Sequence, residues 1–195
     1  MAYQAPRLLI IPGLRDSGVT HWQSWLQQQY RDARRVVQRD FSQPDLRRWA
    51  ERIQTTLEAA PAGPWIAVAH SFGCLALARH LADHPDSPIQ QALLVAPAEP
   101  DKFGLGELLP QQRLPVPATL IASQNDPWMS AASAQRWALR WGASFSNLGQ
   151  VGHINAESGF GPFPLARHWV EAAKARAARQ QRSEHASVLE WSFAI

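Results

Sequence analysis

Residues 66–75 read IAVAHSFGCL. Small and branched apolar residues lead up to His70 and Ser71, and apolar residues resume straight after Gly73. With Trp65 in front, WIAVA (65–69) is apolar at every position, the mark of a strand covered on both faces of a parallel sheet. After Ser71, FGCLALARHLADH suits a helix stopped by Pro85. The serine therefore stands at the carboxyl end of a strand, where open parallel sheets bind their ligands. So sharp a turn needs small residues two before and two after the serine, and Ala69 and Gly73 occupy those places. The stretch reads as a nucleophile elbow, which holds a hydroxyl on an exposed corner.

The same alternation continues on either side. RLLII (7–11) is a buried strand ended by Pro12-Gly13, and Thr20 and Gln23 have capping-box spacing for a helix carrying Trp22, Trp25, Leu26 and Tyr30 on one face. RVVQR (35–39) reads as a second, edge-like strand. Pro44 or Asp45 starts a helix with Leu46, Trp49, Ile53 and Leu57 in register. Strands follow at 91–98, 117–123 and 143–148, and helices at 130–141 and 162–180. The proline-rich stretch 97–117 is too long for a plain connection and is expected to hold a short helix or line a site. Alternating strands and helices define an α/β domain, a three-layer sandwich on a mainly parallel sheet of about six strands. One domain is expected over 1–180. Residues 181–195 form a tail, read either as disordered or as packing on a neighbouring molecule or the domain's own surface.

A serine hydroxyl needs a base, and in such a sheet the acid and the histidine follow the serine at the ends of later strands. Asp126 lies just past TLIAS, and His153 just past the last strand, with Gly152 freeing the loop to turn. Ser71, Asp126 and His153 are thus the candidate catalytic residues, with Asp101 the weaker alternative for the acid. The Phe72 N–H opens the helix and faces the place where an oxyanion would form. The loop PGLRDSG (12–18) supplies a second donor, assigned to the N–H of Leu14. Leu14, Phe72, Phe103 and Trp128 are candidates for the substrate wall. His70 is expected at the sheet edge or supporting the first loop, and His21 at a helix start; His80, His84, His168 and His185 are read as surface.

The chain has 195 residues, 46 % of them hydrophobic, enough for one full core. Its formal charge is +3, from 19 basic residues of which only Lys102 and Lys174 are lysines, and the arginines are scattered. A nucleic-acid interface would concentrate them on one face, so no nucleic-acid partner is expected. One cysteine, Cys74, excludes an internal disulfide and a thiolate cluster, and no spacing suits metal ligands, so neither metal nor cofactor is expected. No stretch matches a membrane span or a secretory signal, so the reading is cytoplasmic, with no membrane partner.

HWQSWL (21–26), AHSFG (69–73), QNDPW (124–128) and GHINAESGFGPFP (152–164), in that order, resemble the small α/β-hydrolases related to retinoblastoma-binding protein nine, many of them bacterial. The similarity spans about residues 7–175. It implies a reduced hydrolase fold without a lid domain, its strands in the order 2-1-3-4-5-6, and a triad which, carried over residue by residue, falls on Ser71, Asp126 and His153. It also supports 12–18 as the oxyanion loop. One departure is Ala69, where such enzymes usually carry glycine. The expectation is a serine hydrolase, monomer or weak homodimer, cleaving a carboxylic ester or related small acyl substrate. An amidase, peptidase or thioesterase using the same residues, or an interaction module that keeps only the fold, are the alternatives.

Overall fold

Side chains along the first strand, β1 (Arg7–Ile11), alternate between the two faces of the sheet with the two-residue period of a strand and set up the layers. Leu8 and Ile10 enter one apolar cluster, and Leu9 and Ile11 enter another on the opposite face. The computed structural model describes the backbone of residues 4–192 and the side chains of residues 4–180. It contains a six-stranded sheet in the order β2-β1-β3-β4-β5-β6, and every neighbouring pair is parallel. The remaining strands are β2 (Arg34–Arg35), β3 (Trp65–His70), β4 (Ile89–Val95), β5 (Ala118–Ala122) and β6 (Ser144–Asn147).

On one face lie α2 (Leu46–Glu58), α3 (Phe72–Asp83) and α4 (Ala131–Trp141); α1 (Trp22–Gln28) and α5 (Pro164–Ser192) contribute to the cluster on the other. In α2, Leu46, Trp49, Ile53 and Leu57 form the buried stripe, and the Asp45 carboxylate caps the helix by accepting the Arg48 N–H at 3.1 Å. Such a cap is worth about 1 kcal/mol. α3 follows the all-apolar strand β3 and is itself buried from Phe72 to Ala78, so the serine between them is anchored on both sides.

Three expectations require correction. β2 is two residues long and earlier than expected: after Val36 donates to the Ile10 carbonyl, the Val37 carbonyl accepts from the Arg52 side chain instead of a neighbouring strand. The cap of α1 is His21, whose Nδ1 accepts the Gln23 N–H, in place of the Thr20–Gln23 box. His80 is fully buried, because α3 is enclosed; Nε2 lies 3.0 Å from the Ser87 hydroxyl. His168 is exposed, while the side chain of His185 lies outside the described residues.

The stretch 97–117 holds two short 3-10 turns, Pro100–Phe103 and Gly106–Leu108. Leu105, Leu109 and Leu114 tie it into the core, and the Pro110 carbonyl accepts the Trp141 indole N–H. The segment is thus packed down as part of the domain. α5 continues through Ser192, so the segment 181–192 carries on a helix in its backbone.

Candidate active site

Ser71 stands between β3 and α3 with φ 53° and ψ −125°, a backbone conformation that side chains other than glycine seldom adopt. Strain of this kind costs about 1–3 kcal/mol and survives where the surroundings dictate it. Here they do. The Ser71 N–H donates to the Val95 carbonyl at 3.1 Å, and its own carbonyl accepts from Cys74 at 3.0 Å. Gly13 and Gly73 provide the clearance: a Cβ on Gly13 would meet the Ser71 Cβ at 2.7 Å, and one on Gly73 the Pro12 carbonyl oxygen at 2.3 Å. The loop after β1, β1 itself and the start of α3 are therefore in backbone contact.

The structure brings the three sequence candidates together. The Ser71 hydroxyl lies 2.9 Å from His153 Nε2, and His153 Nδ1 lies 2.9 Å from each carboxylate oxygen of Asp126. A carboxylate only accepts, so Nδ1 carries the proton and Nε2 is free to accept from the serine. The side chains of His153 and Asp126 are 8 % and 2 % exposed, so the pair is screened from bulk water. Asp126 Oδ1 also accepts the Trp128 N–H at 2.8 Å. Asp101, on the first 3-10 turn, is exposed and takes no part in this chain of bonds.

The histidine loop is braced from four directions. Gly152 has φ 62° and Ile154 φ 48°, so His153 sits between two left-handed residues. Asn125 Oδ1 accepts the Gly152 N–H, Ser158 Oγ accepts the His153 N–H, and the Trp22 indole donates to the Ile154 carbonyl at 2.8 Å. The fourth brace is His70, whose Nε2–H donates to the His153 carbonyl at 2.9 Å. The expectation placed His70 at the sheet edge or supporting the first loop; instead this last residue of β3 reaches across to bond the histidine loop.

Gln23 is the residue that sequence reasoning placed most wrongly. Its buried amide donates to the carbonyls of Ile11 and Val68 and accepts the Ser17 hydroxyl at 2.6 Å, so it ties the loop after β1 to β1 and β3. Only its position in the first turn of α1, between the inward-facing Trp22 and Leu26, hinted at an inward side chain. His21 and His70 stand beside it with depressed pKa values. Burial, then Arg35 and His153, push His21 down to about 4; burial, then His153 and His21, hold His70 well below the usual imidazole value.

A cleft of about 420 Å³ opens over Ser71 and His153. Of the expected wall residues, Leu14 and Trp128 line it. Phe72 does not: its ring is fully buried, 4.9 Å edge-on from Trp49, and the partly buried Phe103 packs against that ring at 5.2 Å. The rest of the wall is largely polar, with Arg15, Ser42, Asn155 and Glu157 among its residues. The backbone N–H groups of Leu14 and Phe72 make no hydrogen bond within the described residues. No group of three or more His, Cys, Asp or Glu among the described residues could hold a metal ion.

A parallel six-stranded sheet with a strained serine between β3 and α3 defines an α/β-hydrolase. The chain belongs to the serine hydrolase family, whose profile matches residues 8–172. It is similar to a protein of Pectobacterium atrosepticum described as a YdeN-like hydrolase, with 36 % identity and a TM-score of 0.84 over 89 % of this chain and 92 % of that one. The ydeN gene product of B. subtilis shares the fold at 22 % identity, with a TM-score of 0.71 over 86 % and 97 % of the two chains. The mouse α/β-hydrolase domain-containing protein 10 does so at 14 % identity, with a TM-score of 0.57 over 78 % and 84 %. No curated protein gives a significant match. Among the described residues no helix is long and apolar enough to cross a membrane.

Proposed function

We propose that this serine hydrolase cleaves carboxylic esters with a small acyl group through an acyl-enzyme, using Ser71, His153 and Asp126. The observation that carries the proposal is the unbroken chain of hydrogen bonds from the Ser71 hydroxyl through both ring nitrogens of His153 to Asp126. Ser71 Oγ attacks the ester carbonyl as His153 Nε2 takes its proton. The carbonyl oxygen becomes an oxyanion between the N–H groups of Leu14 and Phe72, each such donor being worth about 3–4 kcal/mol in the transition state. The tetrahedral adduct collapses, His153 returns the proton to the departing alkoxide, and the alcohol leaves. Water, activated by the same imidazole, then releases the acid and restores Ser71. Asp126 holds the imidazole in the required tautomer and stabilises it while charged.

The cleft's volume and polar wall favour short acyl chains over long lipid tails. The chain fits the branch related to retinoblastoma-binding protein nine on the four motifs quoted above, and we place its work in the cytoplasm on a small soluble ester. Labelling with a fluorophosphonate probe tests the nucleophile: wild type becomes labelled and Ser71→Ala does not. Absence of labelling in both overturns the assignment. A series of nitrophenyl esters should then show turnover falling as the acyl chain lengthens, and a preference for long chains would contradict the proposed cleft.

A further inference from the structure

Two imidazoles in the cleft wall have no part in the chemistry above. His21 and His70 both line the cleft, their ring centres 4.9 Å apart, and the His70 ring is 4.8 Å from that of His153. With their pKa values depressed by burial, both are neutral near pH 7. A neutral imidazole has one N–H and one bare nitrogen, and hydrogen bonds reveal which is which. His21 Nδ1 accepts the Gln23 N–H at 3.1 Å, so its proton is on Nε2. His70 Nε2 lies 2.9 Å from a carbonyl oxygen, which can only accept, so its proton is also on Nε2 and Nδ1 is bare. The adjacent rings thus offer one donor, His21 Nε2–H, and one acceptor, His70 Nδ1.

A hydroxyl answers both at once, accepting from His21 and donating to His70. A carboxylate has no proton for His70 Nδ1, and an ammonium has no lone pair for His21. Position selects the end of the substrate. The leaving oxygen has to reach His153 Nε2 for its proton, and the His70 ring touches that of His153, so a group attached to the leaving alcohol comes to the pair. Resting on the assignment of Ser71 as nucleophile, we propose that His21 and His70 form a specificity subsite for a hydroxyl on the leaving group. The preferred substrates are short-chain esters of a diol or polyol.

The test compares 2-hydroxyethyl acetate with propyl acetate, which differ by a terminal hydroxyl in place of a methyl. Rates are normalised to active sites titrated with the fluorophosphonate and to each ester's rate in hydroxide. Wild type should prefer the hydroxyethyl ester by at least about tenfold in kcat/KM, the scale of one or two neutral hydrogen bonds. His21→Asn keeps a side-chain acceptor for the α1 cap, while its amide N–H ends one bond short of where Nε2 stands and cannot replace that donor, and should bring the ratio within about twofold. A labelled enzyme that treats both esters alike, including by cleaving neither, overturns the subsite and leaves the nucleophile standing. So does a ratio preserved in His21→Asn. An enzyme that takes no label fails at the earlier step, and the subsite falls with it.

Discussion

Substituting Gly73 by alanine tests whether the contact between α3 and the proposed oxyanion loop governs catalysis. The added Cβ would lie 2.3 Å from the Pro12 carbonyl oxygen, 2.7 Å from that of Ile11 and 3.0 Å from the Pro12 carbonyl carbon. All three are backbone atoms of the loop entry and β1, so no side chain can swing aside. Relieving the worst contact requires α3 and the loop to part by about 1 Å, given carbon–oxygen contacts of about 3.3 Å. That movement carries the Phe72 N–H away from the Leu14 N–H across the proposed oxyanion site. A misplacement of this size costs about a hundredfold in rate, and overpacking a dense core costs about 1–3 kcal/mol. We therefore expect kcat on a short nitrophenyl ester to fall about a hundredfold, with slowed fluorophosphonate labelling and a urea midpoint shifted downward. A Gly73→Ala protein with wild-type kcat and an unchanged midpoint would refute the close-contact argument.

Asp126→Asn should lower kcat by about 10⁴ while the fold is kept, since an amide can donate to Nδ1 and stabilise the wrong tautomer; circular dichroism checks the fold, and a loss below tenfold would count against Asp126. Trp22→Phe removes the indole donor to the Ile154 carbonyl and leaves that buried oxygen unpaired, for about 1–3 kcal/mol plus lost packing. Both urea stability and kcat should drop, because the same carbonyl anchors the His153 loop, and stability within 0.5 kcal/mol of wild type (about the noise of surface changes) would contradict it. Burial, then His84, pushes His80 down to about 4, and His21 is held at about 4 as well. In the unfolded chain both titrate near 6.5, so between about pH 4 and pH 6.5 the unfolded state binds more protons. Their stabilisation is whole above about pH 6.5 and drains away on acidification, by about 2 kcal/mol per pH unit near pH 5 for the two together. Urea titrations at several pH values measure the total slope, to which the buried His70 adds in the same direction, and His80→Gln should lower it by about 1 kcal/mol per pH unit; a slope unchanged by the substitution would refute the assignment.

How much could be read beforehand varies element by element. WIAVA and RLLII announce themselves because strands buried on both faces must be apolar throughout, and local pattern is enough to see that. The elbow is legible for a related reason: Ser71, Ala69 and Gly73 lie within five residues, so the steric need for small neighbours is written locally. β2 was misjudged because an edge strand two residues long is set by where its partner's carbonyls stop being available, as when Arg52 takes that of Val37. His80 was misjudged because helical spacing shows a face and not how many faces are covered. The roles of Gln23 and His70 depend on carbonyls 45 and 83 positions away in sequence, beyond any local pattern.

The sequence alone determined the alternation of strands and helices and the placing of Ser71, Asp126 and His153 at strand ends, because hydrophobic period and chain order suffice for these, while the six-strand order is implied only by the family resemblance of its motifs. Only the tertiary structure decided that the three meet at 2.9 Å, that the Phe72 ring belongs to the core, and that His21 and His70 stand side by side in the cleft. The physical reason is range. Secondary structure answers to neighbours a few residues apart, whereas a site is assembled from loops whose course is set by hydrogen bonds and packing between distant segments.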